Sequence, residues 1–424
     1  MAVLHWIRGR RSLSSLQQYG LITANYWAFT LTDGALRMLV VFHFHALGYN
    51  TLEIAFLFLF YEFFGVVTNL FGGWLGARFG LRMTLWLGTL MQVAALLMLI
   101  PVSEFWPKWW SVMYVMVAQA LSGIAKDLNK MSAKSSIKTV VAETPLDRDQ
   151  GEQRLFRWVA ILTGSKNALK GVGFFLGGVL LAWLGFNAAV AAMAAALMLA
   201  FLATLALPKG IGRMKTKPAF SAMLSRSKGV NVLALARFFL FGARDVWFVV
   251  ALPVFLETVL GWTFWEVGGF MGLWVVVYGL VQGSAPALRR SWGQNGPPGP
   301  GAVQFWSAVL ASIPALMAFA LWRGAAEPAP TVMVGLALFA VVFAMNSSIH
   351  SYMVLAYTDS ESVSLNVGFY YMANAGGRLI GTLLSGALFL SGGMPACLLS
   401  SALFVILAWL ASLRLPPVYT QQMT

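Results

Sequence analysis

Ten ionisable side chains fall deep within stretches that are otherwise apolar, and their types and spacing limit the chemistry open to the chain. Asp33 and Arg37 stand four residues apart, Glu62 follows Tyr61, and Lys126 precedes Asp127. Lys166 and Lys170 flank Asn167, Arg244 adjoins Asp245, and Arg378 follows Tyr370, Tyr371 and Asn374. An ionised group at the centre of a bilayer costs about 2.5–3.5 kcal/mol even on a lenient scale, so each must pair, face water or hold a ligand. The six cations outnumber Asp33, Glu62, Asp127 and Asp245, which points to an anion carrying two or more charges. Arginine suits bidentate recognition of a phosphate-like oxyanion, and lysine acts as a movable point charge. Asn167, Asn374, Tyr370 and Tyr371 add neutral hydrogen bonds, and the four carboxylates are candidate proton carriers.

Local spacing sets expectations for pairing. Asp33 and Arg37 share a helical face and can neutralise each other. Arg244 and Asp245, as neighbours, point apart and each requires a partner elsewhere. Lys166 and Lys170 share a face that has no acid in its own helix. Lys126, Lys130, Lys134 and Lys138 form a slowly turning basic stripe. Lys126 and Asp127 are expected to face a water-filled cavity, and Lys134 and Lys138 to be a solvated flank. Arg237 falls near the inner end of its span. His43 and His45 do not share a face, and no metal spacing or nucleophile–base pair occurs, so neither metal, cofactor nor enzymatic activity is expected. Gly171, Gly173, Gly177 and Gly178 read as close-packing positions, and the single cysteine, Cys397, as a small apolar side chain.

The elements that carry these residues follow from composition. The chain of 424 residues is 59% hydrophobic and 10% charged, with a mean hydropathy of +0.74, outside the range of soluble globular domains. Its long apolar runs are continuous rather than alternating, which excludes a β-barrel and predicts a polytopic all-α membrane protein. Arg10 and Arg11 precede the first run, but that run is too long and too charged for a cleaved signal. Twelve spans are expected, at 21–47, 52–76, 84–101, 111–131, 156–184, 187–207, 231–259, 264–286, 302–322, 331–353, 364–391 and 394–414. The net charge of +14 gathers in alternate loops. One set holds Arg8, Arg10, Arg11, Arg78, Arg82, the charges from Lys134 through Arg157, Lys209, Arg213, Lys215, Lys217, Arg226, Lys228, Arg289 and Arg290; the other holds only Lys108 and Arg323. By the positive-inside rule both termini are cytoplasmic.

The halves match each other. Leu47 to Ile54 aligns with Leu260 to Val267 at an offset of 213, which also carries Gly80 onto Gly293. An offset of 208 carries Lys170 onto Arg378, Gly173 onto Gly381 and Gly178 onto Gly386. This predicts two six-helix bundles, 1–207 and 231–424, joined by a basic cytoplasmic linker at 208–230, a pattern of alternating-access transporters. The Gln294 to Gly301 segment reads as a loose linker, and the tail after Pro416 as frayed; neither is given a function.

The run GWLGARFGLR, from Gly73 to Arg82, resembles the signature between the second and third helices of the major facilitator superfamily, placing Gly73, Arg78, Gly80 and Arg82 in a gating loop. It departs at Ala77, where that family has an aspartate, which questions the usual cytoplasmic latch. In that fold the third, sixth, ninth and twelfth helices face lipid, and here those spans carry no charge at depth.

More specifically, NYWAFTLTDGALRMLVV (25–41), LFYEFFGVVTNLFGGWLGARFG (59–80), LSGIAKDLNKMSAKSSIK (121–138), TGSKNALKGVGFFLGG (163–178) and FLFGARDVWFVVALPVF (239–255) resemble the ArsJ-type organoarsenical efflux permeases of that superfamily. The resemblance implies a secondary transporter of a bacterial inner membrane that expels 1-arseno-3-phosphoglycerate and confers arsenate resistance. It also implies functional pairing with a glyceraldehyde-3-phosphate dehydrogenase. The expected partners are the lipid bilayer and this small anion, with no nucleic acid. A general organophosphate or phosphate exchanger of the same fold is the alternative.

Overall fold

The computed structural model describes residues 13–49, 57–103, 105–142, 148–212, 224–225, 227–324, 327–359 and 362–418, without side-chain detail at 45, 138–142, 148–149, 264 and 265. Arg8, Arg10, Arg11, the 50–54 part of the internal match, Arg213, Lys215, Lys217, Arg226, the Lys138 side chain and the tail beyond 418 lie outside it.

Among the described residues the regular structure is helical. The helices are α1 (Ser15–Ala46), α2 (Leu59–Phe79), α3 (Leu81–Met98), α4 (Lys108–Ala142), α5 (Arg148–Thr204), α6 (Lys228–Phe248), α7 (Ala251–Thr258), α8 (Phe264–Ser291), α9 (Pro300–Arg323), α10 (Pro328–Ala356) and α11 (Val363–Ser412). Seven stretches are long and apolar enough to cross a membrane, with α6 and α7 counted as one. Two of them, of 55 and 50 residues, are roughly 80 Å long at 1.5 Å per residue, more than twice the hydrocarbon thickness. Each is two crossings. α5 bends at Gly185 (φ 74°), and α11 at Gly392 and Gly393 (φ 62° at the latter). The remaining crossings are α1, α2 and α4, the helices that carry Asp33 and Arg37, Glu62, and Lys126 to Lys130. The total is twelve, as the sequence predicts.

The internal repeat is visible in the backbone. Gly48 and Gly261 have φ of 78° and 70°, Gly80 and Gly293 of 91° and 76°, and Gly185 and Gly393 of 74° and 62°. These pairs are separated by the two sequence offsets, and each occupies a left-handed region that favours glycine. Packing repeats as well. A methyl on Gly173 would meet the Leu31 carbonyl at 2.5 Å, and one on Gly381 the Gly242 carbonyl at 2.6 Å. In both halves the fifth span therefore rests on the backbone of the first, beside Asp33 in one and Asp245 in the other.

Two differences from the expected spans stand out. α4 continues past 131 to Ala142, because a helix need not end where the hydrocarbon does. The seventh span breaks between Phe248 and Ala251, at Val249 and Val250, and the Ala251 amide donates to Ser385 Oγ at 3.1 Å.

The chain forms two compact units. The first comprises Met1–Asp147, Val172–Met223 and Ser360–Gly368; the second comprises Arg148–Gly171, Leu224–Asp359 and Phe369–Thr424. Phe29, Leu39, Phe44, Val115, Phe186 and Met193 centre the core of the first. Leu240, Trp247, Leu252, Phe339, Phe343 and Leu398 centre that of the second.

Candidate functional site

In the first unit the buried charges gather around Tyr61. Its hydroxyl donates to Asp33 Oδ1 at 2.7 Å and Oδ2 at 3.0 Å, and both residues are buried. The Arg37 guanidinium lies 5.1 Å from the centres of the Tyr61 and Phe58 rings and reaches Glu62 Oε1 at 3.2 Å. Lys126 Nζ sits 3.8 Å from the Tyr61 ring centre. The ring's electron-rich face holds two cations whose positions the hydroxyl's anionic partner also favours. Asp33, Arg37, Glu62 and Lys126 are thus brought together.

Asp127 corrects the expectation of a cavity-facing carboxylate. It is 1% exposed, its Oδ1 accepts from Lys130 at 2.5 Å, and a methyl on Gly65 would meet its Oδ2 at 3.0 Å. The glycine lets α2 close over it. Lys134 is likewise corrected, being 3% exposed rather than a solvated flank, because α4 stays packed beyond the expected end of the span. In the gating loop, Gly73 closes on the Ser364 carbonyl and on Gly368, and Ala77 is fully buried. Arg78 and Arg82 turn to aromatic faces, at 5.1 Å from Trp74 and 4.0 Å from Trp86.

In the second unit Asp245 is 0% exposed. Its Oδ1 accepts from Arg244 Nη2 at 2.5 Å and Nε at 2.6 Å, and its Oδ2 from Arg378 Nε at 2.8 Å. Asp245 finds the partner elsewhere that its spacing requires, in Arg378, but Arg244 does not point away from it as expected. Their Cα–Cβ bonds diverge by about 100°, but the flexible arginine stem spans that angle when a buried carboxylate leaves no better partner.

Sequence spacing misses the residue that links the rest. Arg237 is 3% exposed. It donates from Nε to Asn374 Oδ1 at 3.0 Å and from Nη1 to Ser347 Oγ and O at 3.0 and 3.3 Å. Its guanidinium lies 3.8 Å from the centre of the Phe241 ring and 5.3 Å from that of Tyr370. Ser347 Oγ also receives Tyr278 OH and Gln282 Nε2, each at 3.1 Å, and Gln282 Oε1 receives Asn167 Nδ2 at 2.6 Å. One network therefore joins α5, α6, α8, α10 and α11 through Asn167, Gln282, Ser347, Arg237 and Asn374. Tyr370 and Tyr371 pack edge to face beside it, with ring centres 5.0 Å apart. His350 is fully buried nearby on α10, and neither ring nitrogen has a hydrogen-bond partner among the described residues. Lys166 and Lys170 are half-buried on α5. The signal for Arg237 was its spacing of seven residues from Arg244, which puts both on one helical face. Among the described residues no group of three His, Cys, Asp or Glu can hold a metal.

Two polar clusters buried in twelve membrane-spanning helices, with an internal two-fold repeat, define a transporter class. The chain belongs to the Major Facilitator Superfamily, whose sequence profile matches residues 21–299. It is a multi-pass membrane protein and a transporter, not an enzyme. No curated protein sequence matches it. Among solved structures it is similar to a bacterial homologue of the iron transporter ferroportin in an outward-facing state, at 14% identity and TM-score 0.72, covering 93% of this chain and 98% of that one. The human organic anion transporter MFSD10 (TETRAN) matches at 16% identity and TM-score 0.68, covering 93% and 97%. The E. coli fucose:proton symporter FucP matches at 12% identity and TM-score 0.70, covering 95% and 99%. At these identities the likeness concerns the fold.

Proposed function

We propose that the chain exports an arsenylated organophosphate, 1-arseno-3-phosphoglycerate, from the cytoplasm of a bacterium by alternating access, and so confers arsenate resistance. The observation that carries this reading is Arg237: a buried guanidinium whose acceptors among the described residues are all neutral. A buried cation left with neutral acceptors favours an anionic ligand. Arg244 and Arg378 stand in the same unit, and both reach the carboxylate of Asp245. The sequence resemblance to organoarsenical permeases supports the arsenical cargo, and an organic anion transporter among structures of similar fold supports an anionic one. Arg37, Lys126, Lys166, Lys170, Arg244 and Arg378 act as the cationic set, with Asn167, Asn374, Tyr370 and Tyr371 as neutral donors. Asp33, Glu62, Asp127 and Asp245 are the proton-carrying candidates. The loop charges orient both termini to the cytoplasm of an inner membrane.

Inside-out vesicles supplied with arsenate, glyceraldehyde 3-phosphate, NAD and the dehydrogenase test the cargo. Arsenic accumulates only with the complete mixture. Accumulation with arsenate alone makes the protein a simple oxyanion permease, and competition by 3-phosphoglycerate or phosphate makes it a general organophosphate exchanger. In the same assay Arg237→Lys lowers uptake by about tenfold or more, since an ammonium cannot reproduce the planar fork that spans Asn374 and Ser347. Wild-type uptake by a correctly inserted Arg237→Lys protein refutes the role given to Arg237.

A further inference from the structure

A second cationic feature lies away from both clusters, within the second unit. Arg154 and Arg157, early in α5, and Arg289 and Arg290, in the last turn of α8, line one cavity of about 480 Å³, a size typical of small-molecule pockets. The remaining wall comes from glutamines and an asparagine, with Phe156, Trp158 and Ile161 as the apolar part. Among the described residues, none of those lining the cavity is acidic.

Arg289 is held by neutral groups. Arg289, 7% exposed, donates from Nε to Gln294 Oε1 at 2.9 Å and from Nη1 to the Gly296 carbonyl at 3.2 Å. Its guanidinium lies 5.7 Å from the centre of the Phe156 ring. The 294–301 linker, expected to be loose, is therefore fastened to α8 and forms part of the wall. Glu152, beside the cavity in sequence, accepts the Tyr352 hydroxyl at 2.6 Å. Arg289 and Arg290 stand in the last turn of α8, where its dipole favours cations.

We infer that this cavity binds a phosphate-bearing anion through the four arginines. Guanidinium forks match phosphate oxygens, and an anion in the cavity they line offsets their mutual repulsion. The phosphate belongs either to the headgroup of an anionic lipid or to a soluble phosphate compound. The site is independent of the cargo proposed above.

The test uses the full chain in nanodiscs and reads binding, not transport. One arm incorporates phosphatidylglycerol into phosphatidylcholine discs and counts co-purified lipid by native mass spectrometry. The other adds inorganic pyrophosphate to phosphatidylcholine discs and follows thermal stability. The variants are Arg157→Gln/Arg290→Gln and the charge-keeping Arg157→Lys/Arg290→Lys, both at exposed positions. Expected is retention of phosphatidylglycerol, or stabilisation by pyrophosphate, that weakens about tenfold or more in the Gln pair and less in the Lys pair. Dependence in the first arm identifies a lipid headgroup, and in the second a soluble phosphate. Binding in neither arm, or binding indifferent to the Gln pair, overturns the inference.

Discussion

The ion cluster around Asp245 makes the most demanding prediction. Asp245→Asn preserves shape and removes one charge, leaving Arg244 and Arg378 without the carboxylate they share. Three donor nitrogens reach that carboxylate at 2.5, 2.6 and 2.8 Å, and Asp245 is 0% exposed, so water cannot replace it. Breaking a buried pair by removing one partner costs about 3–5 kcal/mol. The comparison is Glu62→Gln: its pair with Arg37 is a 3.2 Å contact between side chains 29% and 33% exposed, worth at most about 1 kcal/mol. At roughly 2 °C per kcal/mol, Asp245→Asn lowers the midpoint by several degrees and Glu62→Gln by no more than about two. Thermal unfolding in detergent, followed by tryptophan fluorescence, measures both. Replacing Arg244, Asp245 and Arg378 together with leucine recovers much of the loss, because the buried carboxylate and the two guanidiniums that reach it are removed together. Equal shifts for the two single variants, or none for Asp245→Asn, refute the reasoning.

Tyr61→Phe removes both hydrogen bonds to the buried Asp33 but keeps the ring under Lys126; a loss of about 1–3 kcal/mol is expected, read as a lowered unfolding midpoint. Gly377→Ala drives a methyl onto the Phe238 carbonyl, whereas Gly386→Ala meets nothing within 4 Å. The first lowers stability by about 1–3 kcal/mol or prevents insertion, and the second stays within about 0.5 kcal/mol. Similar thermal profiles for both contradict the packing of α6 against α11.

The fold was legible because hydrocarbon thickness imposes a length on every crossing, and because the repeat glycines sit at dihedral angles few other residues adopt. The site was legible by residue type more than by pairing. Deep charges had to be important, so Asp33, Arg37, Glu62, Lys126, Asp245 and Arg378 were all identifiable. Their partners depend on side-chain reach: the hydroxyl of Tyr61 claims Asp33, and Arg244 folds back onto its own neighbour. Arg237 was legible by position but not by role, because a cation near the expected end of a span resembles an interfacial anchor. Ser347 and Gln282 escaped notice because small polar residues in apolar helices have no distinctive spacing. The Arg289–Gln294 contact requires the turn at Gly293, which pairwise spacing does not reveal.

The left-handed glycines make it possible to superimpose one half of the chain on the other, residue by residue, and so to find where the symmetry fails. At the offset of 213, Arg289 and Arg290 fall on Gly76 and Ala77. In the first unit Gly76 closes on the Ser364 hydroxyl and Ala77 is fully buried, so the seam is sealed by small side chains. At the offset of 208, Val363 at the start of α11 falls on Leu155, so residues 148–154 of α5 extend past it by two turns. The two corresponding joints differ: one is closed by glycine and alanine, and the other is lined by arginine. The two-fold repeat therefore carries an arginine-lined cavity at one copy of this joint, where the fifth span of the first half meets the second span of the second.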